Sequence, residues 1–387
     1  MSEPVVPRQP VLGWRALGST RSAHHCVLDA PNRLLTCSAR SALALALRAV
    51  GVNGDWVILT PNYYCPTMLS PIELNGAVPR FYPIDIYGRP IMDFLDDSMV
   101  PGKTIVIAVH FFGLPVSMAA IRKLCETHNA LLIEDCAHAM LGTSADCAVG
   151  SAGHLAIASL PKFFPTAEGG VLTWQTGLEI IATLKTNDAL GELRALWHML
   201  EGAAAAGRMP PIGGLIRTLV RCRARLNGAP DADSLVNADG VDPGSEEVRR
   251  VAMTDPLLTA RALRRTEQFI LRFLDRDRIV RLRRQNYAAL AGLLANSTNG
   301  HSLRPALPEG AVPYVFPFFA DDPDGLYLAM RRAGFPVMRW NRYWPGAIQR
   351  DDDFGRSWGH HVLQIPCHQD MDQYALQRIA EFINRPV

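Results

Sequence analysis

Lysine is scarce in this sequence. Of 39 cationic side chains only four are lysines, at Lys103, Lys123, Lys162 and Lys185, so any chemistry that needs a primary amine has few candidates. Net charge is small too: 39 Lys+Arg against 37 Asp+Glu leaves +2. That balance argues against a dominant nucleic-acid or anionic-membrane surface. None of the eight cysteines stands in a CxxC pair, so neither a zinc site nor a disulfide framework is indicated, and no metal is expected. No apolar run is long enough to span a membrane. The longest uncharged stretch, Thr104 to Ile121, is interrupted by His110, Gly113 and Pro115. The first residues carry Glu3, Pro4 and Pro7 rather than a leader-like apolar segment, and a cytoplasmic location is expected. No GxGxxG follows the first strand, which argues against a nicotinamide-binding Rossmann enzyme.

What is present is an average globular composition. The chain has 387 residues, with 48% hydrophobic and 20% charged residues, which suits two domains. Residues 1–30 read as an irregular arm. From about Leu34 onward, apolar strands alternate with helical patterns. Trp56 to Leu59, Val78 to Ile84, Thr104 to Val109, Leu131 to Asp135, Leu155 to Leu160 and Val171 to Trp174 read as strands. Helices are expected over Ser41 to Leu47, closed by Gly51 and Gly54, over Thr67 to Leu74, and after an N-cap at Ser117. Such alternation predicts an α/β domain with a mostly parallel sheet flanked by helices, over residues 31–255. Within it, 200–247 is rich in Ala, Gly, Pro and Asp and reads as a lid or flexible insertion. Residues 256–387 read as a small C-terminal α+β domain that opens with two Arg-rich helices. Its first strand, Tyr314 to Phe319, contains Pro317 and is expected at a sheet edge.

Two residues suggest the chemistry. Asp135 ends a buried parallel strand, where open α/β sheets bind ligands. A carboxylate there needs a cationic partner. Lys162 follows the next strand and sits in an apolar setting, which depresses an amine's pKa and suits it to Schiff-base chemistry. Either residue alone reads as readily as a turn carboxylate or a surface lysine. Together they fit pyridoxal phosphate, with the lysine on its aldehyde and the carboxylate keeping its ring nitrogen protonated.

Four stretches, in order, then resemble one family. They are Ser38-Ala39-Arg40-Ser41-Ala42-Leu43, Gly54-Asp55-Trp56-Val57-Ile58-Leu59-Thr60-Pro61, Val109 to Gly113 with Glu134 to Ala139, and Ser159-Leu160-Pro161-Lys162 with Glu168-Gly169-Gly170. Across about residues 30–175 the sequence resembles the DegT/DnrJ/StrS aminotransferases. Weaker similarity runs from Arg284-Gln285-Asn286-Tyr287 to the C-terminal helix.

The resemblance implies fold type I of the pyridoxal-phosphate-dependent transferases, with a seven-stranded, mostly parallel sheet. It implies pyridoxal 5'-phosphate as cofactor and a homodimer with sites at the interface. Lys162 would be the Schiff-base lysine and proton shuttle, and Asp135 the partner of the pyridinium nitrogen. His138 would contact the 3-oxygen side, and Ser159 would bind phosphate. Ala39 and Arg40 would offer backbone N–H groups at a helix N-terminus. The Arg40 side chain would either add charge there or be solvated. An aromatic ring would stack on the cofactor, and of Tyr63 and Tyr64 the second is preferred. His110 and Cys136 read as packing residues.

The activity implied is transfer of an amino group from glutamate or glutamine to a keto substrate. That substrate would be a nucleotide-linked keto sugar or a natural-product intermediate. Dehydratase or lyase chemistry on the same fold is the nearest alternative, although that branch replaces the lysine by histidine. A non-catalytic binding protein is the other. Arg339, beside Trp340, is a candidate for a substrate carboxylate, with a surface or interface arginine as the alternative.

Overall fold

The computed structural model describes residues 6–18, 22–209, 213–216, 218–219, 261–341, 347 and 350–385. Its centre is a seven-stranded sheet made of β1 Arg33–Thr36, β2 Val57–Pro61, β3 Val78–Tyr82, β4 Thr104–Val109, β5 Leu131–Asp135, β6 Leu155–Ser159 and β7 Gly170–Trp174. The spatial order is β1-β7-β6-β5-β4-β2-β3. Strands β3, β2, β4, β5 and β6 run parallel, β7 is antiparallel to β6, and β1, antiparallel to β7, runs in the direction of the other five. All six residues of β4 are buried, which is why this strand is a continuous apolar run rather than an alternating one.

The helix Ala39–Val50 is apolar almost all round because it is buried almost all round, from Ala42 to Leu47. Ser38 caps it by accepting the Ser41 N–H at 3.1 Å. Gly51, at φ +81°, ends it in the left-handed conformation that glycine adopts without cost. The helix after β4 begins one residue later than expected, over Ala119–Thr127, with Met118 at the cap position. The Ser117 hydroxyl donates to the Asp146 carboxylate and its oxygen accepts the Ala119 N–H at 3.4 Å.

The second sheet holds β8 Gly300–Ser302, β9 Val315–Ala320, β10 Met338–Arg339 and β11 Val362–Pro366, in the order β10-β11-β9-β8. The expectation of an edge position for the Pro317 strand is therefore corrected, since β9 lies between β11 and β8. The proline is tolerated because β8 is short. Its ladder stops at Ser302 opposite Phe318, and the Pro317 carbonyl accepts the Leu303 N–H at 3.0 Å. The donor that proline lacks would point to the same side, beyond the end of that ladder.

The two expected helices are Arg265–Leu271 and Arg276–Leu293. The arm has two short 3-10 turns, Trp14–Ala16 and Val27–Asp29, and is sealed down by Val6, Leu12, Val27 and Leu28. Of the expected lid, residues 200–205 finish the helix Ala189–Ala205. The rest of 200–247 falls largely outside the described residues, and so does the expected boundary at 255. Among the described residues, no helix is long and apolar enough to cross a membrane.

Candidate active site

Two neighbouring parallel strands aim their C-terminal ends at one cleft. In register, Asp135 of β5 pairs with Ile157 of β6, so β6 finishes two residues further on, at Ser159. A 3-10 turn, Leu160–Lys162, follows at once and carries the lysine back over the strand ends. The N-terminus of the helix Ala39–Val50 is held beside them by β7. Gly169 N–H bonds the Cys37 carbonyl at 2.9 Å. A Cβ on Gly170 would stand 2.2 Å from the Ser38 carbonyl, so only glycine allows this approach.

The resulting cleft, of about 180 Å³, is lined by all seven residues picked out in the sequence: Ala39, Arg40, Tyr64, Asp135, His138, Ser159 and Lys162. Sequence reasoning missed Ser38, Cys65, Thr67, Met68, Val109, Ala137 and Trp340, which line it as well. Cys65 and Thr67 were legible as neighbours of Tyr64. Trp340 comes from the small sheet's side of the molecule, about 180 residues from the lysine, and no local pattern announces it.

Asp135 is buried, and both its oxygens are engaged. Oδ1 accepts the Ala137 N–H at 2.8 Å and Oδ2 accepts the Tyr64 hydroxyl at 2.9 Å. Burial pushes its carboxyl above the usual range, against the pull of the Ala137 N–H, Lys162 and the Tyr64 hydroxyl. The Tyr64 phenol is pushed well up by burial and by Asp135, so it stays protonated and remains a donor. The Lys162 amine is pushed down by burial, with Cys65 and Asp135 acting the other way. Its Nζ lies 5.3 Å from the centre of the Tyr314 ring.

His138 is buried and held well below the ordinary histidine value by burial and by Lys162. Its Nδ1 accepts the Phe112 N–H at 3.3 Å. The ring is therefore neutral with its proton on Nε2, a hydrogen-bond donor. Phe112 supplies that N–H from a left-handed conformation, φ +60°, that costs a non-glycine residue energy. Tyr314 and Trp340 flank the imidazole, with ring centres 4.6 and 5.0 Å away.

Next to Asp135 lies a second buried cluster, His110, Glu134 and Cys136, whose ligand atoms fall within 4.8 Å of one another. It is a clamp rather than a metal centre. His110 Nδ1 accepts the Val116 N–H at 3.2 Å, so its Nε2–H donates to Glu134 at 2.8 Å. Glu134 also accepts from the N–H groups of Gly150, Ala152 and Gly153. Burial drives the Cys136 thiol well up, which leaves it protonated.

Arg339 lies outside the cleft. It lines a separate groove with Asp324 and Arg356, pairs with Asp324 and donates to the His360 carbonyl.

The cleft's donor set fits pyridoxal phosphate. It offers an amine of lowered pKa, a buried carboxylate at a strand end, a neutral imidazole, and a helix N-terminus beside a serine. Residues 25–204 match the DegT/DnrJ/EryC1/StrS aminotransferase family. The spore coat polysaccharide biosynthesis protein SpsC of Bacillus subtilis (strain 168) is 32% identical over 167 residues, 42% of each chain. A dTDP-4-amino-4,6-dideoxy-D-glucose transaminase of Shigella dysenteriae is 34% identical over 134 residues, 34% of this chain and 36% of that one. The alignments thus span less than half the length of these relatives. The pyridoxal-phosphate form of the putative sugar aminotransferase Spr1654 from Streptococcus pneumoniae shares the fold. Its TM-score is 0.61 at 16% identity, over 98% of both chains.

Proposed function

We propose that this chain, whose residues 25–204 match the DegT/DnrJ/EryC1/StrS aminotransferase family, is a pyridoxal-phosphate-dependent aminotransferase acting on a nucleotide-linked keto sugar, with glutamate or glutamine as donor. One observation carries the reading. An amine, a carboxylate, a neutral imidazole and a helix N-terminus, chosen from the sequence, all line one cleft at the ends of parallel strands. The transaminase from Shigella dysenteriae supports the sugar class of substrate.

Bound pyridoxal phosphate supplies an aldehyde carbon and an electron-withdrawing ring. Lys162 would hold the aldehyde, and its amine is the group that would move a proton at the substrate's α-carbon. Its lowered pKa keeps a larger fraction of the amine unprotonated for that task. Asp135 holds the proton on the ring nitrogen. Arrival of that cation adds to the groups that already favour its ionised form, the Ala137 N–H and the Tyr64 hydroxyl. His138 would donate Nε2–H to the 3-oxygen. The N–H groups of Ala39 and Arg40, with Ser159, would take the phosphate. Tyr64 would supply an aromatic face for the ring. Trp340 lines the cleft, and Tyr314 packs against His138 and Lys162 beside it. A homodimer with its sites at the interface and a cytoplasmic location belong to the same reading.

The test is the visible absorption spectrum with added pyridoxal phosphate, for the wild type and for Lys162→Ala. The expected result is a band that requires Lys162 and is bleached by glutamate or glutamine. A Lys162-dependent band indifferent to both amino acids would overturn the donor assignment. No band in either protein would overturn the enzyme reading.

A further inference from the structure

Arg283 is an arginine with no exposed surface, on the helix Arg276–Leu293. Among the described residues, none of its hydrogen-bond partners is a carboxylate. Nε donates to Gln369 Oε1 at 2.8 Å. Nη1 donates to the carbonyls of Pro313 and Tyr314, at 2.8 and 3.2 Å. Nη2 donates to the Lys162 carbonyl at 2.7 Å. The guanidinium also lies over the Phe163 ring, 4.4 Å from its centre. Gln369 completes the loop by donating Nε2 to the Phe163 carbonyl at 2.9 Å. One buried fork and one amide thus hold the peptide units of Lys162 and Phe163. The same fork holds Tyr314, the ring beneath the lysine's ammonium.

A fully buried cation without an ion-pair partner is costly, and a fold retains one where its geometry is used. Burial lowers the guanidinium to about 10, so it stays charged at neutral pH. The groups that set the Lys162 amine are burial, Cys65 and Asp135, which leaves Arg283 a geometric rather than an electrostatic part. Only the planar fork of arginine reaches three carbonyls and an amide at once, so lysine is no substitute.

We propose that Arg283 and Gln369 are positioning residues, a clasp that fixes the backbone of Lys162 so that its amine meets the cofactor's aldehyde. This rests on the function proposed above.

The test compares wild type, Arg283→Lys and Gln369→Leu. Three readouts are taken: affinity for pyridoxine 5'-phosphate, which lacks the aldehyde; growth rate of the Lys162-dependent band on mixing with pyridoxal phosphate; and acetylation of Lys162 in the cofactor-free protein. Acetylation is read by mass spectrometry against Lys103, Lys123 and Lys185. The clasp predicts unchanged affinity for the aldehyde-free analogue and band growth slower by about tenfold or more. It also predicts that Lys162 acetylation shifts toward that of the other three lysines.

Wild-type band growth and labelling in Arg283→Lys would overturn the clasp. So would loss of analogue affinity in parallel with the band, which marks general collapse of the cleft. Should Arg283→Lys fail to fold, Gln369→Leu decides on the same criteria. Absence of any band in the wild type would overturn the proposed function instead. The labelling comparison would then still decide the clasp, unchanged Lys162 reactivity overturning it.

Discussion

The Tyr64 hydroxyl donates to Asp135 Oδ2 at 2.9 Å, which ties the carboxylate at the end of β5 to the segment that follows β2. Sequence reasoning assigned Tyr64 a stacking ring. The structure adds a second role for the same side chain, in its hydroxyl.

Tyr64→Phe separates the two roles. Phenylalanine keeps the ring and removes the donor. One hydrogen bond to a charged, buried group contributes about 1.5–3 kcal/mol. Its loss raises the Asp135 pKa further, because the hydroxyl is one of the groups holding it down. Affinity for pyridoxal phosphate should fall by about tenfold or more, and more at acid pH, where less of Asp135 is ionised. Titration of the holo spectrum at pH 6 and 8 measures both. Unchanged affinity would leave stacking as the whole role of Tyr64.

Gly170→Ala tests the approach of β7 to the N-terminus of the helix Ala39–Val50, which is proposed to hold the phosphate. The added Cβ would meet backbone at 2.2 Å, and backbone cannot step aside as a side-chain tip can. Ser38 and Ala39 must move, at a cost of about 1–3 kcal/mol in stability. Affinity for pyridoxal phosphate should fall more than affinity for pyridoxal, since it is the phosphate's donors that shift. Gly202→Ala is the control: nothing lies within 4 Å of its Cβ position, and it sits in a helix. That change should leave binding alone and hold or raise the melting temperature.

The sheet was legible where physics is local. β4 and β5 are buried on both faces, so their residues are apolar without alternation, and Asp135 stands out at the end of such a run. Lys162 stands out because the chain has so few lysines. The clasp was not legible, because Arg283 lies 121 residues from Lys162 and looks like one of several arginines on an amphipathic helix. Trp340 escaped for the same reason. Pro317 misled because the rule against proline inside sheets assumes a neighbour long enough to need its N–H, and β8 is not. Strands β8 and β10, of three and two residues, are too short to carry a periodic signal.

A last prediction concerns the loop that follows the lysine. Glu267, in the first turn of the helix Arg265–Leu271, is fully buried. Its Oε1 accepts the N–H groups of Ala167 and Glu168, each at 3.0 Å, and its Oε2 has no hydrogen-bond partner among the described residues. Burial pushes its carboxyl up to about 7, and the neighbouring Glu168 charge adds to the rise. Between an ordinary carboxyl value near 4.5 and that value, the folded state holds a proton that the unfolded chain has released. Stability should therefore fall as pH rises through this window, by about 3 kcal/mol in all, and level off above it. Glu267→Gln keeps the acceptor for both N–H groups and removes the titration. The variant should match wild type near pH 4.5 and exceed it at pH 8, with the gap opening between. Melting temperatures of both proteins across that range measure the gap. Parallel curves would show that Glu267 titrates alike in the folded and the unfolded chain, and would overturn the rise assigned to its burial.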